Sequence, residues 1–458
     1  MSGSVRLKLF LMMVLEFFIW GAWLPMIFFY LPSLGFSAEQ APGFLSALIP
    51  DKFEWLFSEQ SLILNAFPVA SIVGMFFSNQ FADRNFAAER FLAFSHFVGG
   101  LAILALGWVT SFWPFLLLML IHCLLYVPTI SITNSIAFAQ MKDPQKEFGV
   151  IRMGGTIGWI LAAWPFVFIL VDWAKVRAAN PQGIVNWLYT VLGSGLKGEA
   201  LREGISWTYI VAGIASLVLA AFSLTLPHTP PRKPTDETNK LAWLEAVRLL
   251  KHPFIFVLWI VTLIDAFVHN CYFNWTGTFL VSPQVGISGN WVQPVMSIGQ
   301  VAEIVTMVFL GYVLTKLKWK TTMVIGILGH AVRFAVYAFL PEYPWLIIFV
   351  QVVHGICYAF FFATVYIFVD EFLPKDARSS AQGLFNVMIL GVGPLLANPI
   401  CQYLSQKVYA TPGVDGQPAV VDYQRLFMVP LVLSGVAALL LILAFWPPAS
   451  ANRQEGHA

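Results

Sequence analysis

Charge is what this sequence has least of. Only 11% of its residues are Asp, Glu, Lys or Arg, against about 25% in soluble globular domains. So little charge cannot cover a water-facing surface, which excludes a soluble protein of this length. The balance of 26 basic against 24 acidic residues, net +2, supplies no basic field for nucleic acid. Cysteine is scarce too. Cys123, Cys271, Cys357 and Cys401 each sit inside an apolar run, with no CxxC pair and no metal-ligand spacing, and are read as small apolar fillers. Metal-ligand clusters, a nucleophile elbow and a phosphate loop are all missing from the pattern. Neither a cofactor nor an enzymatic activity is expected.

What the chain has in abundance is apolar length: 58% hydrophobic residues, 16% aromatic and a mean hydropathy of +0.74. A span needs roughly 20 mainly apolar residues to cross about 30 Å of hydrocarbon. Twelve such segments are predicted, at 8–33, 60–81, 91–110, 113–139, 151–171, 207–226, 253–281, 290–314, 321–340, 343–370, 382–406 and 425–446. Trp113, Trp207, Trp291, Trp319, Trp345 and Trp446 lie near their ends, as interfacial aromatics do. The first segment follows Arg6 and Lys8 like a signal peptide. It is too long for one, lacks an A-x-A site and carries Glu16 in its middle, so it is read as a retained span.

An even number of spans puts both termini on one side. That side collects 18 of the 26 Lys and Arg residues, the other side seven, and Arg333 lies mid-span. The asymmetry predicts cytoplasmic termini. The loop 315–320, with Lys316, Lys318 and Lys320, is its clearest part. The organisation expected is all-α and integral to the membrane. An N-terminal six-helix bundle (1–226), a cytoplasmic linker (227–252), a C-terminal six-helix bundle (253–446) and a cytoplasmic tail (447–458) follow in order. The linker opens on His228-Thr-Pro-Pro-Arg-Lys-Pro234 and closes on an amphipathic stretch, 241–250, suited to the membrane surface. Two six-span halves so joined are the organisation of major facilitator transporters. Two insertions on the opposite side, 34–59 and 172–206, are long and carry no assigned role.

Ionisable residues inside a span are costly and normally face the bundle interior or a watery cavity. Glu16, Arg152, Asp265, Glu303 and Arg333 qualify, with His96, His122, His269, His330 and His354 also titratable. Gln300 and Glu303, three apart, share a helix face; an amide beside a carboxylate suits hydroxyls and ring N–H groups, or else binds two helices together. Arg152, Thr156 and Trp159 fall at i, i+4 and i+7, one stripe carrying a cation, a hydroxyl and an aromatic plate. Arg152 reads equally as an interfacial arginine. Gly154, Gly155 and Gly158 beside them allow close helix approach. The seventh segment holds Asp265, His269, Asn270, Phe273 and Asn274; the tenth holds Gln351, His354 and Tyr358, the last two on one face. His96, His122 and His330 are read as packed, satisfied histidines. Taking a carboxylate out of water disfavours its charged form, so Glu16 is read either as a proton carrier or as a hydrogen-bonded structural residue.

Several stretches, taken in order, carry a family likeness. They are Phe18-Ile-Trp-Gly-Ala-Trp23, Tyr126-Val-Pro-Thr129 with Asn134, Ile151-Arg-Met-Gly-Gly-Thr-Ile-Gly158, Leu224-Thr-Leu-Pro-His228, 296–303 and Ala377-Arg-Ser-Ser-Ala-Gln-Gly383. The loop Ala82-Asp-Arg-Asn-Phe-Ala-Ala-Glu-Arg90 is similar to the facilitator signature loop, with Asn79 where that motif usually begins with Gly. Over about residues 6–446 the chain resembles the nucleoside:H+ symporter family of the major facilitator superfamily. The resemblance implies nucleoside contacts at Arg152, Thr156, Gln300 and Glu303. At other contact positions the residue type departs: Trp159 stands for a phenylalanine, Asn270 for a glutamine, Phe273 for an asparagine, His354 for a tyrosine and Tyr358 for a phenylalanine. Ala359 occupies the position of an aspartate associated with proton coupling, which passes the proton to Glu303, Glu16 or Asp265, in that order of expectation. The protein is thus expected to be a monomeric inner-membrane carrier, surrounded by lipid, that takes up nucleosides with protons. A carrier of another small polar solute such as a sugar, and a transport-inactive sensor, are the rival readings.

Overall fold

The computed structural model describes residues 3–74, 86–141, 144–231, 248, 250–372, 384–411 and 420–447. Residues 79 and 82–85 of the signature loop, most of the expected surface helix 241–250, and Ala377–Gly383 lie outside them.

Helix is the one local structure that pairs every backbone N–H and C=O within a single lipid-embedded segment. Among the described residues, ten helices are long and apolar enough to cross a membrane. One of these, Gly289–Phe339, is two spans: where the sequence reads 315–320 as a loop, the helices run together and the path breaks only at Lys318 (φ 60°, ψ 173°). A bent pair, Asp51–Leu64 and Ala66–Val73 at 76°, stands at the start of the expected second span. The remaining spans are Gly3–Ser33, Ala88–Trp108, Phe112–Gln140, Glu147–Ile169, Gly198–Ser223, Pro253–Val281, Pro344–Val369, Leu384–Val408 and Tyr423–Ala444. Span six begins at Gly198, earlier than the expected 207, so the insertion 172–206 is largely helical, with Trp173–Ala179 and Gly183–Leu192 ahead of it. Asp422 starts the last span by accepting the Arg425 N–H at 3.0 Å, a side-chain N-cap.

The chain packs as two units: Met1–Lys233 with Phe273–Ser297, and Pro234–Tyr272 with Ile298–Ala458. In the first, spans one and five meet along a glycine seam. A Cβ on Gly154 would strike the Phe10 carbonyl oxygen, and one on Gly158 the Val14 backbone. The end of this unit that holds the start of span three is latched by Glu89. One oxygen lies 2.8 Å from His228 Nδ1, and the other accepts the Thr229 N–H at 3.0 Å. Lys8 Nζ nearby donates to the Thr225 carbonyl at 2.6 Å. The segment 273–297 is pinned by Gln293 Nε2, which donates to the Ala22 carbonyl at 3.0 Å, and by Trp291 Nε1, which donates to the Leu192 carbonyl at 2.8 Å.

At the heart of the first unit is a sealed polar knot. Glu16 is fully buried. Its Oε2 lies 2.9 Å from His96 Nε2, its Oε1 accepts from Thr129 Oγ1 at 2.8 Å, and its backbone carbonyl accepts from the Tyr126 hydroxyl at 2.7 Å. Ser216 Oγ donates to the His96 carbonyl and sits 3.0 Å from His96 Nδ1. Spans one, three, four and six are thus tied at one point. The second unit has a continuous apolar core that includes Leu258, Val261, Met323, Ile327, Phe361, Phe362, Leu441 and Phe445.

Two outcomes follow for stability in detergent. Gly158→Ala forces backbone apart along the seam and lowers stability by about 1–3 kcal/mol, the usual cost of overpacking. Glu16→Ala takes the buried acceptor from His96 Nε2 and Thr129 and lowers it by about 1–3 kcal/mol, the usual cost of leaving a buried polar group without its partner. Thermal melts of the purified variants measure both.

Candidate functional site

Within the first unit, span five brings its predicted stripe together. Arg152, Thr156 and Trp159 are each half-buried and flank the glycine seam. The Arg152 guanidinium lies 4.3 Å from the centroid of the Phe17 ring. Trp159 meets Trp20 edge-on at 5.2 Å and Phe273 at 6.2 Å, while Trp20 stacks on Phe67 at 4.7 Å. These rings form an aromatic wall with a cation at one end. Trp159 reaches span one because Gly21 there has no side chain: a Cβ would press on the indole. Glu16, one residue before Phe17, turns away into the polar knot, where both of its oxygens have partners.

Within the second unit, spans eight and ten supply the amide and carboxylate. Gln300 is buried and Glu303 half-buried. The two spans cross with backbone against backbone, because a Cβ on Gly355 would strike Ala302 and Glu303, and one on Gly299 would strike His354. The crossing sets Gln300 Nε2 3.4 Å from His354 Nε2. His354 stacks on His269 of span seven, with ring centroids 5.0 Å apart. Tyr358, one turn on, lies 6.5 Å from the same ring. Asn270 is half-buried on span seven.

Asp265 lies deeper, fully buried, with Oδ2 3.7 Å from His330 Nε2. Between His330 and His354 is a residue to which the sequence reading gave no role. The fully buried Arg333 places Nη2 2.8 Å from His330 Nδ1 and Nη1 2.9 Å from His354 Nδ1. Its guanidinium also lies 4.1 Å from the centroid of Tyr272, a cation–π distance. The signal available beforehand was an intramembrane arginine with a histidine three residues earlier. Of the histidines read as packed and satisfied, His96 has partners at both nitrogens, whereas Nε2 of His122 and of His330 has no hydrogen-bond partner among the described residues.

The arrangement offers rings, hydroxyls, amides and carboxylates, the groups that hold a small polar solute reversibly. Among the described residues, no group of three or more metal-ligating side chains converges. The family model described as Nucleoside H+ symporter matches residues 3–192 and 181–450. The putative nucleoside transporter YegT of Escherichia coli K12 is 28% identical over 410 residues, 88% of this chain and 85% of that one. Xanthosine permease of the same organism is 26% identical over 471 residues, 97% of this chain and 96% of that one. The crystal structure of the nucleoside transporter NupG, 21% identical, has the same fold, with a TM-score of 0.74 over 97% of this chain and 100% of that one. With a polytopic helical fold and a family model spanning both units, the chain belongs to the nucleoside H+ symporter family and is a multi-pass membrane transporter of the major facilitator fold, not an enzyme.

Proposed function

We propose that this protein imports nucleosides across the inner membrane by proton symport with alternating access. In this reading both termini are cytoplasmic, as the excess of Lys and Arg on their side supports, and six-span halves 1–226 and 253–446 are joined by the linker 227–252. The observation that carries the substrate reading is the Gln300–Glu303 pair. An amide and a carboxylate one turn apart are held on a glycine-packed crossing that fixes their backbone. Glu303 accepts hydrogen bonds from ribose hydroxyls, and Gln300 pairs with the polar edge of the base. Asn270, His354 and Tyr358 complete the contacts offered by the second unit. The first unit offers Trp159 as the stacking plate, with Arg152 and Thr156 as polar contacts. Glu303, Glu16 and Asp265 are the candidate carboxylates for carrying the proton.

The test is uptake of radiolabelled uridine and adenosine into proteoliposomes, with and without an inward proton gradient. The wild type accumulates nucleoside and the gradient stimulates it. Glu303→Gln lowers uptake at least tenfold, the equivalent of about 1.4 kcal/mol. Trp159→Ala removes a base-stacking surface worth about 1–3 kcal/mol and raises KM roughly 5- to 150-fold. Failure of folded wild-type protein to take up either nucleoside overturns the reading and turns the search to sugars.

A further inference from the structure

A guanidinium has donors only. The two Arg333 nitrogens therefore donate to Nδ1 of His354 at 2.9 Å and Nδ1 of His330 at 2.8 Å. Each imidazole accepts at Nδ1 and keeps its proton on Nε2. Both are held neutral, since a proton added at either Nδ1 sets donor against donor. The His330 Nε2–H lies 3.7 Å from Asp265 Oδ2, and neither Asp265 oxygen has a hydrogen-bond partner among the described residues. At the far end, the His354 Nε2–H faces the Gln300 amide at 3.4 Å, while Gln300 Oε1 has no hydrogen-bond partner among the described residues. Amide oxygen and nitrogen are assigned by their hydrogen bonds. Turning the Gln300 amide over gives Oε1 the His354 donor and leaves both amide N–H groups for a ligand.

We propose that Asp265 is the proton-binding group of symport, and that Arg333, a positioning residue acting through His354, passes its charge state to the Gln300 amide. The inference rests on the nucleoside symport reading above. The titratable groups packed along this chain are engaged or buried. On span seven, Tyr272 donates to Gln351 Oε1 at 3.0 Å, and His269 stacks on His354 and meets Phe362 edge-on. On span nine, the Tyr337 hydroxyl accepts from Gln351 Nε2 at 2.6 Å. On span ten, Cys357 is a buried thiol. The histidines are locked by Arg333. Asp265 can gain a proton without breaking any hydrogen bond made by its oxygens among the described residues.

Charged, Asp265 balances Arg333. When a carboxylate oxygen takes up a proton, the guanidinium keeps its charge and loses that counter-ion. Its field then falls on His354, polarises the N–H that holds Gln300, and strengthens the amide as a donor, since chained hydrogen bonds reinforce one another. Proton and nucleoside thereby raise each other's affinity, as linkage requires, and one positive charge travels with each substrate.

The test is equilibrium binding of radiolabelled uridine to purified protein between about pH 5.5 and 8.5. Wild-type Kd falls as pH is lowered, by up to about tenfold per unit for one linked proton. In Asp265→Asn the Kd changes less than about twofold across the range. Retention of the wild-type slope in that variant overturns the proposal. If Asp265→Asn does not fold, His330→Asn is read instead: severing Asp265 from Arg333 flattens the slope, and a wild-type slope overturns the proposal equally. A wild type that binds uridine independently of pH overturns this inference and leaves the substrate reading standing. A folded wild type that binds no nucleoside overturns both.

Discussion

Hydrocarbon offers no hydrogen bonds, and everything polar in this protein is arranged around that fact. A buried amide or hydroxyl left without a partner costs a few kcal/mol, and an unpaired charge far more. The backbone meets the constraint by being helical. The side chains meet it in two different ways. Glu16 shares its two carboxylate oxygens between His96 and Thr129, so both oxygens have partners and the knot is closed. Arg333 satisfies two nitrogens on histidines, and beyond one of them, His330, the Asp265 carboxylate stands 3.7 Å away, just outside hydrogen-bond reach of that ring. A closed network resists change, whereas an open one can adopt a second arrangement at small cost.

Much of the fold can be read from hydropathy alone. Span seven runs Pro253–Val281, matching the predicted 253–281, because a proline starts it and the apolar run ends at a turn. Span six is less legible. Its first turns carry Glu199, Arg202 and Glu203, which lower local hydropathy although the helix continues through them. The site is legible in the same uneven way. Gln300 with Glu303, and Arg152 with Thr156 and Trp159, sit close in sequence on one helix, so periodicity finds them. Arg333 meets His330 one turn back on its own helix, but its other partner and those of Glu16 come from other helices: His354 lies 21 residues from Arg333, and His96 lies 80 residues from Glu16. No local pattern reports such pairings. A single sequence marks these residues as expensive without saying what they are paired with.

The glycines read at first as packing residues do more than fill space. At Gly154 and Gly158 they bring span five onto the backbone of span one, which is how Arg152 comes to lie over Phe17 and Trp159 beside Trp20. A bulkier seam would hold the same side chains farther apart. The chemistry of the stripe thus depends on residues that have no chemistry of their own.

The crossing of spans eight and ten carries a mechanical consequence. Gly355 lies against the peptide unit that joins Ala302 to Glu303, so no flexible side chain lies at that contact to absorb a displacement. Interiors packed at this density shift as blocks instead of deforming smoothly. Spans eight and ten therefore act as one stiff lever: a tilt of span ten carries the Glu303 carboxylate with it, as a pawl moves with its arm.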